Sequence, residues 1–158
     1  MHPHAELIER FYSSLKNRDY AGIAACYHPD VVYSDPVFTH LTGSEVPTMW
    51  QMLSERSKDL TSAWRDIAAD DRTGTAFWEA RYTFSATGRP VHNQINSAFV
   101  FEDGLIIAHH DSFDLWKWAR MALGQKGVWL GRFPPVQNAI RKNADQILRM
   151  FIERRLQE

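Results

Sequence analysis

A strict alternation of apolar and polar residues between positions 75 and 85 limits the folds open to this chain more than any other feature. The apolar positions of this run are Ala76, Trp78, Ala80, Tyr82 and Phe84. Such a period of two is typical of a strand with one buried face. Turn residues at 87–90, a strand-like run over 91–101, an Asp-Gly turn at 103–104 and a further run over 105–115 follow. The sequence therefore predicts three long strands in an antiparallel meander.

Helical periodicity flanks this meander on both sides. The predicted helices cover residues 4–17, 19–27, a segment that starts with Ser44 as its N-cap, 116–123 and 136–156. Shorter strands are predicted at 31–34 and, from a weaker pattern, at 60–70. Residues 127–135 are predicted to form a loop. Helices that precede an antiparallel sheet indicate an α+β fold.

Length, charge and cysteine content exclude several classes of protein. The 158 residues fit one domain. The formal charge of −1 means that the chain lacks the excess of positive charge that is typical of nucleic-acid-binding proteins. A single cysteine, Cys26, excludes an intramolecular disulfide and a cysteine-cluster metal site. No apolar stretch reaches the roughly 18 residues of a membrane span, and the N-terminus does not resemble a signal peptide. We therefore expect a cytoplasmic protein with neither a nucleic-acid nor a membrane partner.

Two runs of residues resemble a known family. Residues 28–36 read His-Pro-Asp-Val-Val-Tyr-Ser-Asp-Pro and are followed by Gly43. Residues 99–106 read Phe-Val-Phe-Glu-Asp-Gly-Leu-Ile, and 109–114 read His-His-Asp-Ser-Phe-Asp. In this order and spacing they resemble the NTF2-like superfamily and its SnoaL-like, ketosteroid-isomerase-like branch. The resemblance implies a cone-shaped fold, in which a curved antiparallel sheet wraps around N-terminal helices.

The resemblance also sets the expected domain boundaries and oligomeric state. We place the NTF2-like domain at residues 1–123. Residues 124–158 would add a loop and an amphipathic helix that packs on the same domain or on a dimer partner. Members of this superfamily often dimerise through the outer face of the sheet, so the resemblance implies a homodimer. The residues predicted for that outer face are Glu79, Arg81, His92 and Gln94.

Alternation along the strands sorts the side chains that would face the pocket of such a cone. On the third long strand, His109, Asp111 and Phe113 share one face, and we place Leu105 and Ile107 with them. The residues predicted to contact a ligand are Tyr33, Trp50, Trp78, Tyr82, Asn93, Ser97 and Phe113. In a chain with nine Phe, five Tyr and six Trp, this set predicts an aromatic pocket for a hydrophobic small molecule.

Asp111, His109 and Asp35 are the predicted catalytic residues. A carboxyl group in an apolar pocket has a raised pKa, which suits acid/base chemistry near neutral pH. Asp111 resembles the acid/base Asp of SnoaL-type cyclases, and His109 and Asn93 would polarise a substrate carbonyl. Asp35, between a strand and a proline, resembles the proton-shuttling Asp of ketosteroid isomerases. The predicted function is therefore that of a cofactor-independent isomerase or cyclase acting on a carbonyl compound.

Two differences from enzymes of the resembled superfamily limit the reactions that this chain is expected to catalyse. Phe11 and Ser97 stand where ketosteroid isomerases carry the Tyr and the protonated Asp of their oxyanion hole, and we expect Tyr12 to point away from that position. Limonene epoxide hydrolases need an Asp-Arg-Asp relay, but neither Arg81 nor Arg89 is predicted to be buried. Isomerase-like or cyclase-like chemistry is thus favoured over epoxide hydrolysis.

Structural roles offer an alternative explanation of the same residues. Asp35 could cap a turn through its own backbone, and His109 could be a hydrogen-bonded core histidine. Asp35, His109 and Asp111 provide only weak grounds for a metal site, and we predict neither a metal nor a cofactor. The alternative to an enzyme is a non-catalytic ligand-binding or dimeric assembly module with the same fold.

Overall fold

The computed structural model describes every residue from 1 to 158. Its helices are α1 (Pro3–Lys16), α2 (Tyr20–Cys26), α3 (Glu45–Arg56), α4 (Leu115–Leu123), α5 (Gln125–Leu130) and α6 (Pro134–Leu156). Its strands are β1 (Tyr27–Ser34), β2 (Leu41–Thr42), β3 (Thr61–Ala69), β4 (Thr73–Phe84), β5 (Arg89–Glu102) and β6 (Leu105–Ser112). The predicted α+β class is confirmed, as is the weakly patterned strand at β3.

All six strands form one curved sheet in the order β2-β1-β6-β5-β4-β3. The strands β3 to β6 pair antiparallel, which is the predicted meander with β3 added at its edge. The strand β1 pairs with β6 in parallel, so that Tyr33 lies beside His109. This pairing brings the end of β1, which carries Asp35 just beyond it, to the part of β6 that carries Asp111.

Burial along β4 and β5 follows the predicted alternation. The buried positions are Gly74, Ala76, Trp78 and Ala80 on β4 and Val91, Asn93, Ile95, Ser97, Phe99 and Phe101 on β5. The opposite face is more polar, and there His92 Nε2 lies 2.9 Å from Glu79 Oε1 across the two strands. The two faces of the meander are therefore assigned correctly by the period-2 rule.

The first half of β6 departs from the prediction. The register with β5 jumps from Ala108 to Ile106, which leaves Ile107 as an extra residue without a partner. A bulge of this kind reverses the alternation on one side of it. Ile106 is consequently fully buried, and the assignment of Leu105 and Ile107 to the inner face is wrong. Residues after the bulge keep the predicted alternation.

Two helix predictions also need correction. Residues 127–135, predicted as a loop, contain most of α5 and the start of α6. Packing on α4 stabilises α5, which is too short to be detected from its own periodicity. Ser44 precedes α3 as predicted, but its side chain makes no capping hydrogen bond. Instead, Glu45 Oε1 accepts a hydrogen bond of 2.9 Å from the backbone N–H of Thr42.

The C-terminal helix α6 packs on its own chain. Leu148 is fully buried in the main core, and Arg149 forms an ion pair with Glu45 of α3. Arg141 Nε donates a hydrogen bond of 2.8 Å to the carbonyl oxygen of Pro36. The residue next to Asp35 is thus tied to α6. The homodimer stays a prediction.

Candidate active site

A cavity of about 510 Å³ opens between the inner face of the sheet and the helices. Its walls come mainly from α3, the ends of β1 and β6, the strands β4 and β5, and the helices α4 and α6. Most of the lining side chains are apolar. A volume and lining of this kind are typical of a site for a small hydrophobic molecule.

Most of the residues predicted for the site line this cavity. They are Tyr33, Asp35, Trp50, Trp78, Tyr82, Asn93, Asp111 and Phe113. Ser97 and His109 do not line it, and both are almost fully buried behind Asp111. The period-2 rule placed them on the correct face of the sheet, but Asp111 separates them from the cavity.

Two carboxyl groups meet at one phenol hydroxyl in the wall. Tyr33 Oη lies 2.6 Å from Asp35 Oδ2, to which it donates a hydrogen bond, and 3.4 Å from Asp111 Oδ2. Burial raises the pKa of Tyr33 well above its ordinary value, and the charges of Asp35 and Asp111 raise it further. The phenol therefore stays protonated and serves as a hydrogen-bond donor between two acids.

Asp35 has two roles that the sequence presented as alternatives. Its Oδ1 accepts hydrogen bonds of 2.7 Å from the backbone N–H groups of both Val37 and Phe38, which closes a turn. Its Oδ2 faces Tyr33. Desolvation by burial raises the pKa of Asp35 from 3.8 to about 6, although the hydrogen bonds from Tyr33 and the turn lower it in part. Asp35 thus combines a structural turn with a perturbed carboxyl group.

His109 is held by protein groups on both ring nitrogens. Trp50 Nε1–H donates to Tyr27 Oη at 2.9 Å, and Tyr27 Oη lies 2.8 Å from His109 Nδ1. Since the Tyr27 oxygen accepts from Trp50, its own hydrogen points at Nδ1, and the ring proton is assigned to Nε2. That proton is donated to Asp111 Oδ1 at 2.8 Å. His109 therefore orients Asp111 and has no free nitrogen for a ligand.

A second chain of hydrogen bonds reaches Asp111 from α1. Tyr12 donates to Ser97 Oγ at 2.8 Å, and Ser97 donates to Asp111 Oδ1 at 2.5 Å. Phe11 and Tyr12 are both fully buried under the sheet and neither lines the cavity, so Tyr12 reaches Asp111 only through Ser97. Asp111 Oδ1 thus has two donors, while Oδ2 has only the distant Tyr33 hydroxyl.

The remaining polar groups in the wall are few. Asn93 is buried, lines the cavity and makes no side-chain hydrogen bond with the protein, so its amide is available to a ligand. Arg56 is the only basic residue of the lining, and it is exposed. No group of three His, Cys, Asp or Glu side chains is placed to hold a metal ion. The wall therefore suits a neutral ligand with a hydrogen-bond acceptor better than an anion.

Sequence reasoning missed the contribution of the C-terminal helices. Ile140, Ala144 and Ile147 of α6 line the cavity, and so does Trp118 of α4, whose Nε1–H donates to Tyr82 Oη at 2.8 Å. The apolar stripe of α6 was visible in the sequence, but its docking place was not. The role of Tyr27 had no local signal, because its partner His109 lies 82 residues away.

Replacement of Tyr33 by Phe should raise the pKa of Asp35 above its value of about 6. The hydroxyl group stabilises the charged carboxylate, so its removal favours the protonated form. The measurement is an NMR titration of the Asp35 carboxyl carbon. Tyr82→Phe is the matched control, since its hydroxyl makes no hydrogen bond with Asp35. An unchanged Asp35 titration in Tyr33→Phe would show that the Tyr33–Asp35 hydrogen bond does not form.

Comparisons with known proteins agree with the fold of this chain. The family model of the SnoaL-like domain matches residues 8–109. Curated proteins yield no match by sequence. An NTF2-like protein of unknown function from Burkholderia pseudomallei has a similar structure, with a TM-score of 0.67, 18% identity and coverage of 77% of this chain and 98% of the other.

Two further similar structures have a chemical description. One is an LEH-like epoxide hydrolase from M. tuberculosis, with a TM-score of 0.65 and 20% identity over 80% of this chain and 92% of the other. The second, IdmH from Streptomyces antibioticus, is described as a candidate polyketide cyclase, with a TM-score of 0.63 and 21% identity over 75% and 96%. At these identities the structures share the fold. Each match extends over nearly all of the other protein but leaves a fifth to a quarter of this chain unmatched.

Proposed function

Since the chain belongs to the SnoaL-like domain family, we propose that it is a cofactor-independent acid/base catalyst that isomerises or cyclises a hydrophobic carbonyl compound. The observation that carries this proposal is the meeting of Asp35 and Asp111 at the Tyr33 hydroxyl, in the wall of an apolar cavity. Two carboxyl groups with different surroundings can act as base and acid in one reaction.

Asp111 is the proposed base. Its Oδ1 is fixed by His109 and Ser97, which leaves Oδ2 to accept a proton from a substrate carbon next to a carbonyl group. The C–H bond breaks, an O–H bond forms on Asp111, and the negative charge moves to the substrate oxygen. His109 acts through Asp111 as a positioning residue, since it has no contact with the cavity.

Asp35 and Tyr33 are the proposed acid. When Asp35 is protonated, it donates to Tyr33 Oη, and the Tyr33 hydrogen is released towards the substrate oxygen. Asn93 provides a second donor for that oxygen. Return of the proton from Asp111 to a different carbon completes an isomerisation. In a cyclisation, the enolate carbon attacks a second carbonyl carbon, and a C–C bond forms as the C=O π bond breaks. The resulting alkoxide takes the proton from Asp111, which restores the base, and neither path requires a cofactor.

Epoxide hydrolysis has less support, although one similar structure is an LEH-like epoxide hydrolase. The relay that the sequence resemblance associates with that chemistry has an arginine between its two acids. In this chain a neutral phenol, Tyr33, stands between Asp35 and Asp111, and the only arginine of the lining is exposed. Enolisation needs a hydrogen-bond donor at the substrate oxygen, which Tyr33 can provide.

The test is hydrogen–deuterium exchange next to the carbonyl group in a panel of hydrophobic cyclic ketones and hydroxyquinones. The protein is incubated with each compound in D₂O without any cofactor, and exchange is followed by NMR. We expect exchange that is faster below a pH of about 6, where Asp35 is protonated. Compounds that bind without exchange would contradict the proposal and indicate the non-catalytic binding module.

A further inference from the structure

The surface of α5 and the turn after it exposes large apolar side chains. The protein has nine exposed large hydrophobic residues, and four of them lie between 128 and 133. They are Val128, Trp129, Leu130 and Phe133, here named the α5 patch. Trp129 is 76% exposed and Phe133 is 53% exposed. Single exposed apolar residues are ordinary, but a cluster that includes two aromatic rings indicates a contact surface.

The α5 patch is exposed because glycines occupy the inner side of α5 and of the turn after it. Gly127 and Gly131 are buried against α4. A Cβ atom on Gly127 would overlap the backbone carbonyl group of Ala119, and one on Gly131 would come within 2.9 Å of the Ala119 Cβ. A surface helix normally turns its large apolar residues towards the core. In α5 and the turn after it, the glycines face inward and the large apolar side chains face outward, so core packing does not explain the large apolar side chains.

The region around the α5 patch is strongly basic. Residues 115–142 contain six of the 18 basic residues and none of the 19 acidic residues. The guanidinium groups of Arg120 and Arg132 lie 4.1 and 4.5 Å from the ring centre of Trp116. Neither they nor Lys126 have a carboxylate within ion-pair distance. The rest of the chain is acidic, so this charge is confined to one region.

We propose that the α5 patch docks on the surface of an anionic lipid bilayer. Tryptophan, phenylalanine and leucine on one face, with lysine and arginine beside them, form the pattern that inserts at the boundary between headgroups and acyl chains. The positively charged side chains without a carboxylate partner, those of Arg120, Lys126 and Arg132, would be attracted by the negative surface potential of such a bilayer. A second copy fits less well, because a two-fold contact through this patch would place its cations against each other.

This proposal revises the sequence-based expectation that there is no membrane partner. That expectation rested on the lack of a spanning segment, and none of the six helices combines the length and apolarity that a span needs. A surface contact has no such requirement. The membrane proposal also concerns a region beyond residue 109, where the family match ends.

Val136, three residues after Phe133, lines the cavity. Docking of the α5 patch would therefore bring the cavity near lipid-dissolved ligands if the proposed function holds.

The test is sedimentation of the full-length protein with vesicles. One set contains phosphatidylcholine alone, and the other contains about 30% phosphatidylglycerol in addition. We expect at least about tenfold stronger binding to the anionic vesicles, with a loss of binding on raising salt from about 0.1 M to 0.5 M. The double variant Trp129→Ala/Phe133→Ala should lose binding to both sets, and Lys126→Glu should weaken the preference for anionic vesicles.

The matched control is Met150→Ala/Leu156→Ala, which removes two other exposed apolar side chains and should bind like the wild type. Equal binding by the patch variant and the wild type would overturn the proposal, as would the same affinity for both vesicle sets. Ultracentrifugation adds a third outcome: a dimer that the patch variant dissociates, without vesicle binding, would overturn it by making the patch an interface between copies. Without vesicles, the rate of hydrogen–deuterium exchange in a soluble ketone should be equal in the wild type and the patch variant. A failure of the proposed function can therefore be distinguished from a failure of the membrane proposal.

Discussion

Replacement of Asp111 by Asn should lower the rate of proton exchange next to a substrate carbonyl by a factor of about 10² to 10⁴, the usual contribution of a general acid or base. The substitution keeps the size of the side chain. The Asn oxygen can still accept from His109 and Ser97, so the hydrogen-bonded wall stays in place. What is lost is the basic oxygen that faces the cavity. Binding of the ketone should change much less than its rate of exchange.

Asp103→Asn is the matched control for Asp111→Asn. Asp103 lies in the exposed turn between β5 and β6 with a positive φ of 54°, a conformation that asparagine tolerates well. The same chemical change is thereby made outside the cavity, and the rate should not change. If Asp111→Asn exchanges ketone protons as fast as Asp103→Asn, Asp111 is not the base.

The parts of the site that could be predicted follow from local periodicity. Strands have a side-chain period of two, so the alternation along β4 and β5 is enough to place Trp78, Tyr82 and Asn93 on one face. The same rule failed at Ile107, because a bulge depends on how two strands pair and not on the residues of either strand alone. Predictions from periodicity are therefore reliable only as far as the pairing is regular.

The parts that could not be predicted depend on contacts between distant segments. Tyr27 and His109 are 82 residues apart, and Tyr12 and Ser97 are 85 apart, yet these pairs hold Asp111 in place. The sequence identified Asp111 and His109 as neighbours on one face but left open whether His109 polarises a substrate or is a hydrogen-bonded core histidine. Only the packing of α1 and α3 against the sheet shows that His109 lies behind Asp111.

The stability of the protein should depend on pH through Asp35. Its pKa is about 6 in the folded protein and 3.8 in the reference state for the unfolded chain. The folded state thus binds this proton more tightly, so its contribution to the free energy of unfolding is complete below pH 3.8 and is lost as the pH rises to about 6. The size of this loss is about 3 kcal/mol by the conversion of pKa differences.

Asp35→Asn removes this dependence, because the side chain stays neutral at every pH. The Asn oxygen can still accept from the backbone of Val37 and Phe38, so the turn is kept. We expect the free energy of unfolding of Asp35→Asn minus that of the wild type to increase by about 2 to 3 kcal/mol between pH 4 and pH 7. Urea denaturation at both pH values measures this difference in the free energy of unfolding, with Asp103→Asn as the control.

A difference that does not change with pH would mean that burial does not raise the pKa of Asp35, and the proposed acid would lose its physical basis. An increase would mean that the protein holds a carboxylate at neutral pH at a cost in stability, as is common for groups retained for function.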